Sequence, residues 1–485
     1  MPPLRILYVT PECAPLVKTG GLGDVAAALP VALRQLGLDA RLLLPGYPAV
    51  LAALAGARNI GSIDAIARIP AANLLEAELP TGVPAWVVDC PLLYDRDGGP
   101  YQDASGADWE DNPLRFGLLS RVAALLASRH SPVAWRAQLV HANDWQTGLA
   151  PAYAALAYDG STPSIITVHN LAFQGIFAPH WVADLGLPAA SFGVDGVEYH
   201  GRFSFLKAGL FYASAITTVS PTYASEIQQK AMGMGLDGLL AARRESLTGI
   251  LNGIDTTVWD PANDPLIPQR YDAATLGRKA FNKRALQVRF GLEPLPDIAL
   301  LGAVTRLTAQ KGLDLLLDVA EAVLALPAQI VIVATGDKVL EQRLRALSAD
   351  RPGRLASFIG FDETLAHLVE AGADAFIMPS RFEPCGLNQM YSQRYGTPPI
   401  VHATGGLVDS VVDCTLESLA DGMATGFKFF APNADALMVA IERCAAARGD
   451  PAVWRALQRN GMRRDFSWNT AAREYGAIYA RLVAG

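Results

Sequence analysis

The segment LRILYVTPECAPLVKTGGLGDVAAALPVALRQL, residues 4–36, contains the unit that decides the fold. Its first part, Leu4 to Thr10, is a short apolar run with the length of a buried strand. A helical pattern of apolar residues runs from Asp24 to Leu36, and a glycine-rich loop joins the two. A strand followed by a loop and a helix is the repeating unit of α/β proteins with parallel sheets.

The same alternation continues along both halves of the chain. In the first half, strands are predicted at 4–10, 40–44, 85–89, 139–142, 164–168, 215–219 and 248–251. The segment 255–272 is rich in proline and polar residues, which is typical of a linker. The pattern then restarts, with strands predicted at 298–304, 329–334, 356–359, 373–378 and 399–402. We therefore predict two α/β domains, residues 1–255 and 256–465.

Length and composition agree with this prediction and exclude several classes of protein. The 485 residues are 51% hydrophobic and 18% charged, with a net charge of -7, so neither disorder nor electrostatic binding of nucleic acid is expected. The five cysteines contain no C-x-x-C pair, which argues against a disulfide scaffold or a zinc module. The sequence shows no signal peptide, and its longest apolar stretch, 42–57, is interrupted by proline and glycine. We expect a soluble cytoplasmic protein that binds neither nucleic acid nor membrane.

The glycine-rich loop after the first strand is a candidate anion site. Ligands of parallel sheets bind beyond the carboxyl ends of the strands. Here Lys18 precedes Gly20 and Gly21 at the start of a helix, where N–H groups and the helix dipole favour an anion. The match to a dinucleotide fingerprint is only formal, because about ten residues separate the glycines from the strand. A simple turn with a solvated Lys18 is the alternative.

Two further loops favour the anion site. Arg306 and Lys311 follow the first strand of the second half, and guanidinium and ammonium groups both suit phosphate oxygens. A solvated pair on the following helix is the alternative. Thr404, Gly405 and Gly406 follow another strand and place small residues where a helix begins. We predict that these loops hold a diphosphate in a cleft between the domains.

Side chains suited to a sugar follow other predicted strands. Glu383 lies between a strand and Pro384, a residue that can begin a helix. The first half contributes HANDWQ (141–146) and HNLAFQG (169–175). Carboxylate, imidazole and amide groups bind hydroxyl groups, and an aromatic face binds the C–H surface of a sugar. The sequence therefore predicts a sugar beside the diphosphate.

Seven motifs, in this order, resemble the bacterial glycogen synthase and plant starch synthase family. They are KTGGLGDV (18–25), HANDWQTGL (141–149), HNLAFQG (169–175), ILNGID (250–255), TRLTAQKG (305–312), PSRFEPCGLNQMY (379–391) and ATGGLVDSV (403–411). The resemblance runs from Leu4 to about Trp468. It implies the α/β fold called GT-B, in which two Rossmann-like domains with parallel sheets face across a deep cleft. It also implies a C-terminal helix, 466–485, that crosses back to the N-terminal domain.

The resemblance also implies a reaction. Members of the family are hexosyltransferases that move glucose from ADP-glucose to the nonreducing 4-hydroxyl end of an α-1,4-glucan such as glycogen, with retention at the anomeric carbon. Neither a metal nor another cofactor is expected. The alternatives are a preference for UDP-glucose, another enzyme on the same scaffold such as a glucan phosphorylase or a sugar-nucleotide epimerase, and a noncatalytic glucan-binding protein.

The family pattern carries roles to individual residues. Glu383 falls near the reacting carbon, His169 beside the glucose and Asp144 near the acceptor, while Arg306 and Lys311 neutralise the departing ADP. Contacts to substrate or nucleotide are implied for Lys18, Gly20, Gly21, Asn170, Asn252, Phe361, Cys385, Gly386, Leu387, Thr404, Gly405 and Gly406.

Three aromatic positions carry separate expectations. Phe361 falls where the family places a ring against the adenine. Tyr391 stands eight residues beyond Glu383, where many related retaining transferases have a second glutamate that binds the ribose. Trp259 is expected to be a packing residue, as large aromatic side chains usually are.

Overall fold

The structure is a computed structural model that describes residues 3–484. The chain divides into two compact units. The first runs to Gly253 and resumes at Trp468, and the second is Ile254–Ser467. No helix within residues 3–484 is long and apolar enough to cross a membrane.

The first unit is built on a nine-stranded sheet. Its strands, together with those of a small three-stranded sheet, are β1 (Arg5–Val9), β2 (Asp39–Pro45), β3 (Arg58–Ile63), β4 (Ala72–Glu78), β5 (Pro84–Asp89), β6 (Leu139–Asn143), β7 (Ser164–Val168), β8 (Ile176–Phe177), β9 (Glu198–Tyr199), β10 (Arg202–Ser204), β11 (Ala215–Thr218) and β12 (Leu247–Gly249). The large sheet has the order β12-β11-β7-β6-β1-β2-β5-β4-β3, and the small one the order β8-β10-β9. In the large sheet, neighbours pair in parallel except β3 with β4 and β4 with β5.

The seven strands predicted for the first half correspond to β1, β2, β5, β6, β7, β11 and β12. The prediction missed β3 and β4, which form the antiparallel edge of the large sheet. Much of β3 is exposed. A strand that faces solvent carries polar residues, so it lacks the continuous apolar run of a buried parallel strand.

Helices cover the large sheet of the first unit. They are α1 (Gly21–Gln35), α2 (Pro48–Ala53), α3 (Pro91–Tyr94), α4 (Asn112–Ala127), α5 (Leu149–Ala157), α6 (Trp181–Asp184), α7 (Phe205–Tyr212), α8 (Pro221–Glu226) and α9 (Asp237–Ala242), followed at the end of the chain by α19 (Trp468–Ala484). The helix predicted from Asp24 begins at Gly21, directly after the lysine-glycine loop. Gly21 is therefore the first residue of the helix, and Gly20 precedes it as the N-cap.

The last helix belongs to the first unit, although the second unit separates it in sequence. It packs against α1. Its Tyr479 hydroxyl group lies 2.7 Å from Nδ1 of His141 on β6, and the opposite nitrogen of His141 lies 2.6 Å from Thr167 Oγ1. All three side chains are buried. This polar chain ties the end of the sequence to the centre of the sheet.

The second unit contains a six-stranded parallel sheet. Its strands are β13 (Ala299–Leu307), β14 (Ala328–Gly336), β15 (Leu355–Ile359), β16 (Ala375–Met378), β17 (Pro399–His402) and β18 (Phe427–Phe429), in the order β15-β14-β13-β16-β17-β18. The first five correspond to the five predicted strands. Two α/β units with mainly parallel sheets confirm the predicted fold class.

Helices also accompany the second sheet. They are α10 (Lys279–Arg289), α11 (Leu313–Ala325), α12 (Lys338–Asp350), α13 (Glu363–Gly372), α14 (Asn388–Arg394), α15 (Gly405–Ser410), α16 (Leu416–Ala420), α17 (Ala434–Arg448) and α18 (Pro451–Arg463).

Strand β14 shows why the strands of this sheet appear in the sequence as continuous apolar runs. Ile330 and Ile332 belong to one hydrophobic cluster, whereas Val331 and Val333 between them belong to another. Because successive side chains point to opposite faces, both faces of this sheet are buried.

The segment predicted to be a linker is a packed part of the second unit. Tyr271 is 2% exposed, and its hydroxyl group donates to the Tyr395 carbonyl oxygen at 2.7 Å. Asp260 forms an ion pair with Arg394 at 2.9 Å. The prolines do interrupt regular structure, but side chains between them are buried. The linker interpretation of residues 255–272 was therefore wrong.

We expect Tyr479→Phe to destabilise the first unit. The substitution leaves Nδ1 of His141 buried without its partner, which costs about 1–3 kcal/mol. The urea midpoint of the full chain should fall accordingly. Arg473→Ala, an exposed change on the same helix, should shift the free energy of unfolding by no more than about 0.5 kcal/mol. Equal midpoints for the two variants would contradict a structural role for the His141 contact.

Candidate active site

An ion pair stands at the carboxyl edge of the second sheet. Lys311 Nζ lies 2.5 Å from Glu383 Oε2, and the two side chains are 19% and 7% exposed. Lys311 ends a short 3-10 turn after β13, and Glu383 follows β16. These strands are neighbours in the sheet, which brings together residues that are 72 positions apart in sequence.

The loops that carry the ion pair are locked to each other. Gly312 has φ of 64°, and a Cβ atom there would lie 2.1 Å from the Pro379 carbonyl oxygen. Only glycine allows this backbone conformation without strain and this close approach. The Arg381 N–H donates to the Gln310 carbonyl oxygen at 2.8 Å, and its guanidinium group binds Asp314 with distances of 2.8 and 2.6 Å. The Lys311 backbone is therefore fixed relative to the Glu383 loop.

The Thr404-Gly405-Gly406 turn supports Glu383 from the other side. Gly405 has φ of 46°, and a Cβ atom there would lie 2.0 Å from the Glu383 carbonyl oxygen. The Gly406 N–H donates to that same oxygen at 3.1 Å. The sequence suggested an anion site here, but the structure uses the Gly406 N–H group within the protein. This turn positions the backbone of Glu383.

Arg306 and Phe361 lie on the exposed side of this edge. The structure extends β13 to Leu307, so Arg306 belongs to the strand rather than to the following loop. Its side chain is exposed, and no residue of 3–484 forms a hydrogen bond or ion pair with it. Phe361 follows β15 and is 75% exposed. An exposed cation and an exposed ring are both open to a ligand.

Three rings form a stack beside helix α14. Trp259 lies between Tyr391 and His367, with centroid distances of 3.9 and 3.8 Å and nearly parallel planes. His367 also lies 2.8 Å from Asp264 Oδ2, and the Tyr395 hydroxyl group donates to the same oxygen at 2.6 Å. The position where related transferases carry a second glutamate therefore holds a packed aromatic ring. Trp259 is a packing residue in this stack.

Three residues of the second unit complete the predicted set around Glu383. Cys385 is buried. Gly386 has φ of 72°, and a Cβ atom there would lie 2.5 Å from Gln389 Oε1. Leu387 directly precedes α14. The structure thus brings Cys385, Gly386 and Leu387 into one turn with Glu383.

In the first unit, Glu12 organises the lysine-glycine loop. Its carboxylate accepts hydrogen bonds from the Thr19 N–H at 2.5 Å, the Thr19 hydroxyl group at 2.6 Å and the Gly20 N–H at 3.4 Å. The Tyr101 hydroxyl group also donates to it. Glu12 is 2% exposed. Two N–H groups that the sequence suggested for an anion are thus bonded to an internal carboxylate.

Lys18 and Gly21 lie on the outer side of this loop. Lys18 Nζ forms an ion pair with Asp24 at 2.7 Å, and its side chain is 46% exposed. Gly21 is the first residue of α1. An exposed pair of this kind contributes little to stability and exchanges readily with other anions.

Asn143, Asp144 and His169 form a second group in the first unit. Asp144 Oδ1 accepts the His169 N–H at 2.6 Å and the Asn170 N–H at 3.4 Å. The Asn143 carbonyl oxygen Oδ1 lies 2.9 Å from His169 Nε2. An amide oxygen only accepts, so His169 carries its proton on Nε2 and keeps an unprotonated Nδ1. The loops after the neighbouring strands β6 and β7 are joined by these contacts.

Burial controls the charge of this group. Burial raises the pKa of Asp144 to about 7, although the hydrogen bonds from the His169 and Asn170 N–H groups favour the ionised carboxylate. It lowers the pKa of His169 to about 3, so the imidazole is neutral at physiological pH. Asp144 also has φ of 56° and ψ of -174°, a strained conformation for a residue with a side chain. Strain and a perturbed carboxyl group together are typical of functional sites.

Asn252 is the remaining member of the predicted set in the first unit. It is 7% exposed, and its Oδ1 atom has no hydrogen-bond partner among residues 3–484. A buried acceptor without a donor is unfavourable unless a ligand or water supplies one.

Sequence reasoning assigned no individual role to Glu12, Asn143 or Ser380, although Asn143 and Ser380 lie within two of the seven motifs. Glu12 lies three residues beyond the end of β1 at Val9, so its position after the strand could have identified it. The Ser380 hydroxyl group donates to Glu383 Oε2 at 3.0 Å, a contact that its place in the PSRFEPCGLNQMY motif does not reveal. Among residues 3–484, no cluster of three or more His, Cys, Asp or Glu side chains could hold a metal ion.

Comparisons with known proteins agree on one family. Residues 5–242 match the starch synthase catalytic domain, and residues 290–457 match the glycosyl transferases group 1. Glycogen synthase of Nitrosospira multiformis is 54% identical over 486 residues, covering 99% of this chain and 98% of the relative. Glycogen synthase of Aromatoleum aromaticum is 57% identical over 481 residues, covering 99% and 97%.

Solved structures show the same relationship. The catalytic domain of starch synthase IV from Arabidopsis thaliana, bound to ADP and acarbose, matches with a TM-score of 0.88 and 30% identity over the whole of both chains. A sucrose-phosphate synthase from Thermosynechococcus elongatus matches with a TM-score of 0.59 and 19% identity over 99% of both chains, which shows the shared fold alone.

We expect Asp144→Asn to change how stability depends on pH. The raised pKa of Asp144 means that the folded chain binds a proton which the unfolded chain releases near pH 4, so this group's contribution is lost as pH rises from about 4 to about 7. Relative to the parent protein, the variant should gain up to about 1.4 kcal/mol per pH unit within that window. Urea midpoints measured at pH 4.5, 6 and 8 test this. A constant difference would contradict the raised pKa.

Proposed function

Because the chain belongs to the glycogen synthase family of glucosyltransferases, we propose that it transfers glucose from ADP-glucose to the 4-hydroxyl group at the nonreducing end of an α-1,4-glucan, with retention at the anomeric carbon. The observation that carries the proposal is the Lys311–Glu383 pair at the carboxyl edge of the second sheet, with the exposed Arg306 on the same strand edge. ADP bound to a starch synthase of the same fold supports ADP as the leaving group.

Arg306 and Lys311 are the proposed diphosphate ligands. Breaking the glycosyl bond leaves a sugar with oxocarbenium character and a diphosphate that gains negative charge. Fixed cations stabilise that charge without reorganisation. Arg306 is available because it has no partner within the described residues, and Lys311 is held with its ammonium group at the same edge. Lys18, in a weak exposed pair, is proposed as a third cation.

Glu383 is proposed to contact the glucosyl unit near the reacting carbon. Its carboxylate can stabilise positive charge on the sugar, and the adjacent Cys385, Gly386 and Leu387 belong to the same turn. We favour attack by the acceptor on the same face that ADP leaves. The bond from the anomeric carbon to the diphosphate breaks, the bond to the acceptor oxygen forms, and the acceptor proton passes to the diphosphate. Attack by Glu383 itself is the alternative route to retention.

The first unit is proposed to bind the sugars. Neutral His169 presents its unprotonated Nδ1 as an acceptor for a hydroxyl group of the glucose. Asp144 holds the His169 backbone and lies on the acceptor side, while Asn170 and Asn252 supply amide groups. Gly20, Gly21 and Thr404 to Gly406 shape the backbone near the donor, and Phe361 stacks on the adenine.

No metal or other cofactor is proposed, since Lys18, Arg306 and Lys311 supply the positive charge that the diphosphate needs. A cytoplasmic location is also proposed. It is supported by the five cysteines, all within the described residues, which form no disulfide bond with one another, as is usual in a reducing compartment.

Release of ADP from ADP-glucose in the presence of glycogen tests the proposal directly. We expect turnover that depends on both substrates, persists in EDTA and is slower with UDP-glucose. Faster turnover with UDP-glucose would reverse the donor assignment. Glucose 1-phosphate formation from glycogen and phosphate would identify a phosphorylase. Glycogen binding with no transfer from any nucleotide-glucose donor would identify a binding protein and overturn the proposal.

Arg306→Ala and Lys311→Ala test the diphosphate ligands. Each should lower kcat on the order of 10²- to 10³-fold, because a preorganised donor to the developing charge is lost. Their effects on stability should differ. Arg306→Ala removes an exposed side chain and should leave the urea midpoint unchanged, whereas Lys311→Ala leaves a buried carboxylate unpaired at a cost of about 3–5 kcal/mol.

Lys338→Ala is the matched control, since this lysine pairs with Glu341 at 3.0 Å but is 81% exposed and lies on α12. It should retain normal turnover and stability. Normal turnover in Arg306→Ala and Lys311→Ala would contradict the diphosphate assignment.

A further inference from the structure

We propose that Ser380 is a positioning residue for the transfer reaction, because its hydroxyl group fixes Glu383 with Oε2 turned into the protein and Oε1 left for the sugar. The inference rests on the proposed function and adds to it a residue outside the motif positions that carry family roles.

The two oxygens of Glu383 have different surroundings. Oε2 accepts hydrogen bonds from Lys311 Nζ at 2.5 Å and from Ser380 Oγ at 3.0 Å. Oε1 accepts none from the described residues, yet it is absent from the fully buried polar atoms that lack a partner. Oε1 therefore keeps an open side. The carboxylate has one oxygen committed to the protein and one available to a substrate.

Ser380 is itself held firmly. It is 1% exposed, and its carbonyl oxygen accepts a hydrogen bond from His402 Nδ1 at 2.8 Å. The preceding Pro379 carbonyl oxygen lies against Gly312, where a side chain has no room. The backbone of Ser380 is thus held between His402 at the end of β17 and Gly312 in the loop after β13.

Lys311 alone does not fix the orientation of the Glu383 carboxylate, and the Ser380 hydroxyl group supplies the second contact. The terminal torsion of a glutamate has a broad preference, so one contact leaves the carboxylate free to rotate about it. Lys311 is also a proposed diphosphate ligand, and its ammonium group is shared between Glu383 and the donor. Ser380 has no such second task. It keeps Oε2 in place while Lys311 turns toward the diphosphate, and small misplacements of a reacting group can cost about 10²-fold in rate.

Ser380→Ala, compared with Ser392→Ala, tests the inference. Ser392 is also fully buried and also donates to a glutamate, Glu370 Oε2, at 2.7 Å, but it lies within α14 and not beside Glu383. Both variants lose one hydrogen bond to a buried carboxyl group, so their urea midpoints should fall by similar amounts. A merely structural role would therefore give both variants the same turnover.

We expect Ser380→Ala to lower kcat on the order of 10- to 100-fold, as loss of a hydrogen bond to a charged group implies. The KM for ADP-glucose and the Kd for ADP should change less than about twofold, because the diphosphate ligands are intact. Ser380→Thr, which keeps the hydroxyl group, should recover most of the kcat, and Ser392→Ala should keep parental kcat.

Three results would overturn the positioning role. They are parental kcat in Ser380→Ala, an equal loss of kcat in Ser392→Ala, and a loss that appears in KM alone. The comparison of Ser380→Ala with Ser392→Ala stands without the threonine variant if that variant does not fold. A parent protein that releases no ADP from ADP-glucose refutes the proposed function itself, whereas an active parent with an equally active Ser380→Ala refutes only the role of Ser380.

Discussion

The ion pair between Lys311 and Glu383 is the interaction on which the site in the second unit depends. A carboxylate that is 7% exposed is stable only with a charge partner and good hydrogen bonds, and this one has both. The pair also supplies the two charges that the proposed reaction needs, a cation for the leaving diphosphate and an anion for the positive sugar. The contacts that offset the free-energy cost of burying these two charges are therefore the same contacts that orient Lys311 and Glu383.

Backbone contacts fix the geometry of the Lys311–Glu383 pair. Gly312 and Gly405 have positive φ, and a Cβ atom at either position would collide with a carbonyl oxygen, that of Pro379 or that of Glu383 itself. Both glycines therefore act on geometry, by allowing two loops to approach closely. The position of Gly405 and Gly406 after a strand suggested that they would expose N–H groups to an anion. The Gly406 N–H instead bonds to the protein, and Arg306 and Lys311 remain as the proposed phosphate ligands.

The first unit uses carboxylates in the same supporting way. Glu12 binds the Thr19 and Gly20 N–H groups, and Asp144 binds the His169 N–H group. Each buried carboxylate fixes a loop that carries a predicted ligand of the substrate. Burial also keeps His169 neutral. In the proposed reaction, a neutral imidazole accepts a hydrogen bond from the sugar, whereas a cation would repel the positive charge on it.

The sequence by itself determined the two α/β units, the family and the strand ends where functional residues stand, because buried parallel strands read as apolar runs and the motifs follow them directly. It did not reveal the exposed edge strand β3, the packing of residues 255–272, or the supporting residues Glu12 and Ser380. Only the tertiary structure decided these, since each depends on a contact between distant segments. Glu383 meets Lys311 across 72 positions of sequence because β16 lies beside β13, and local patterns carry no information about which strands become neighbours.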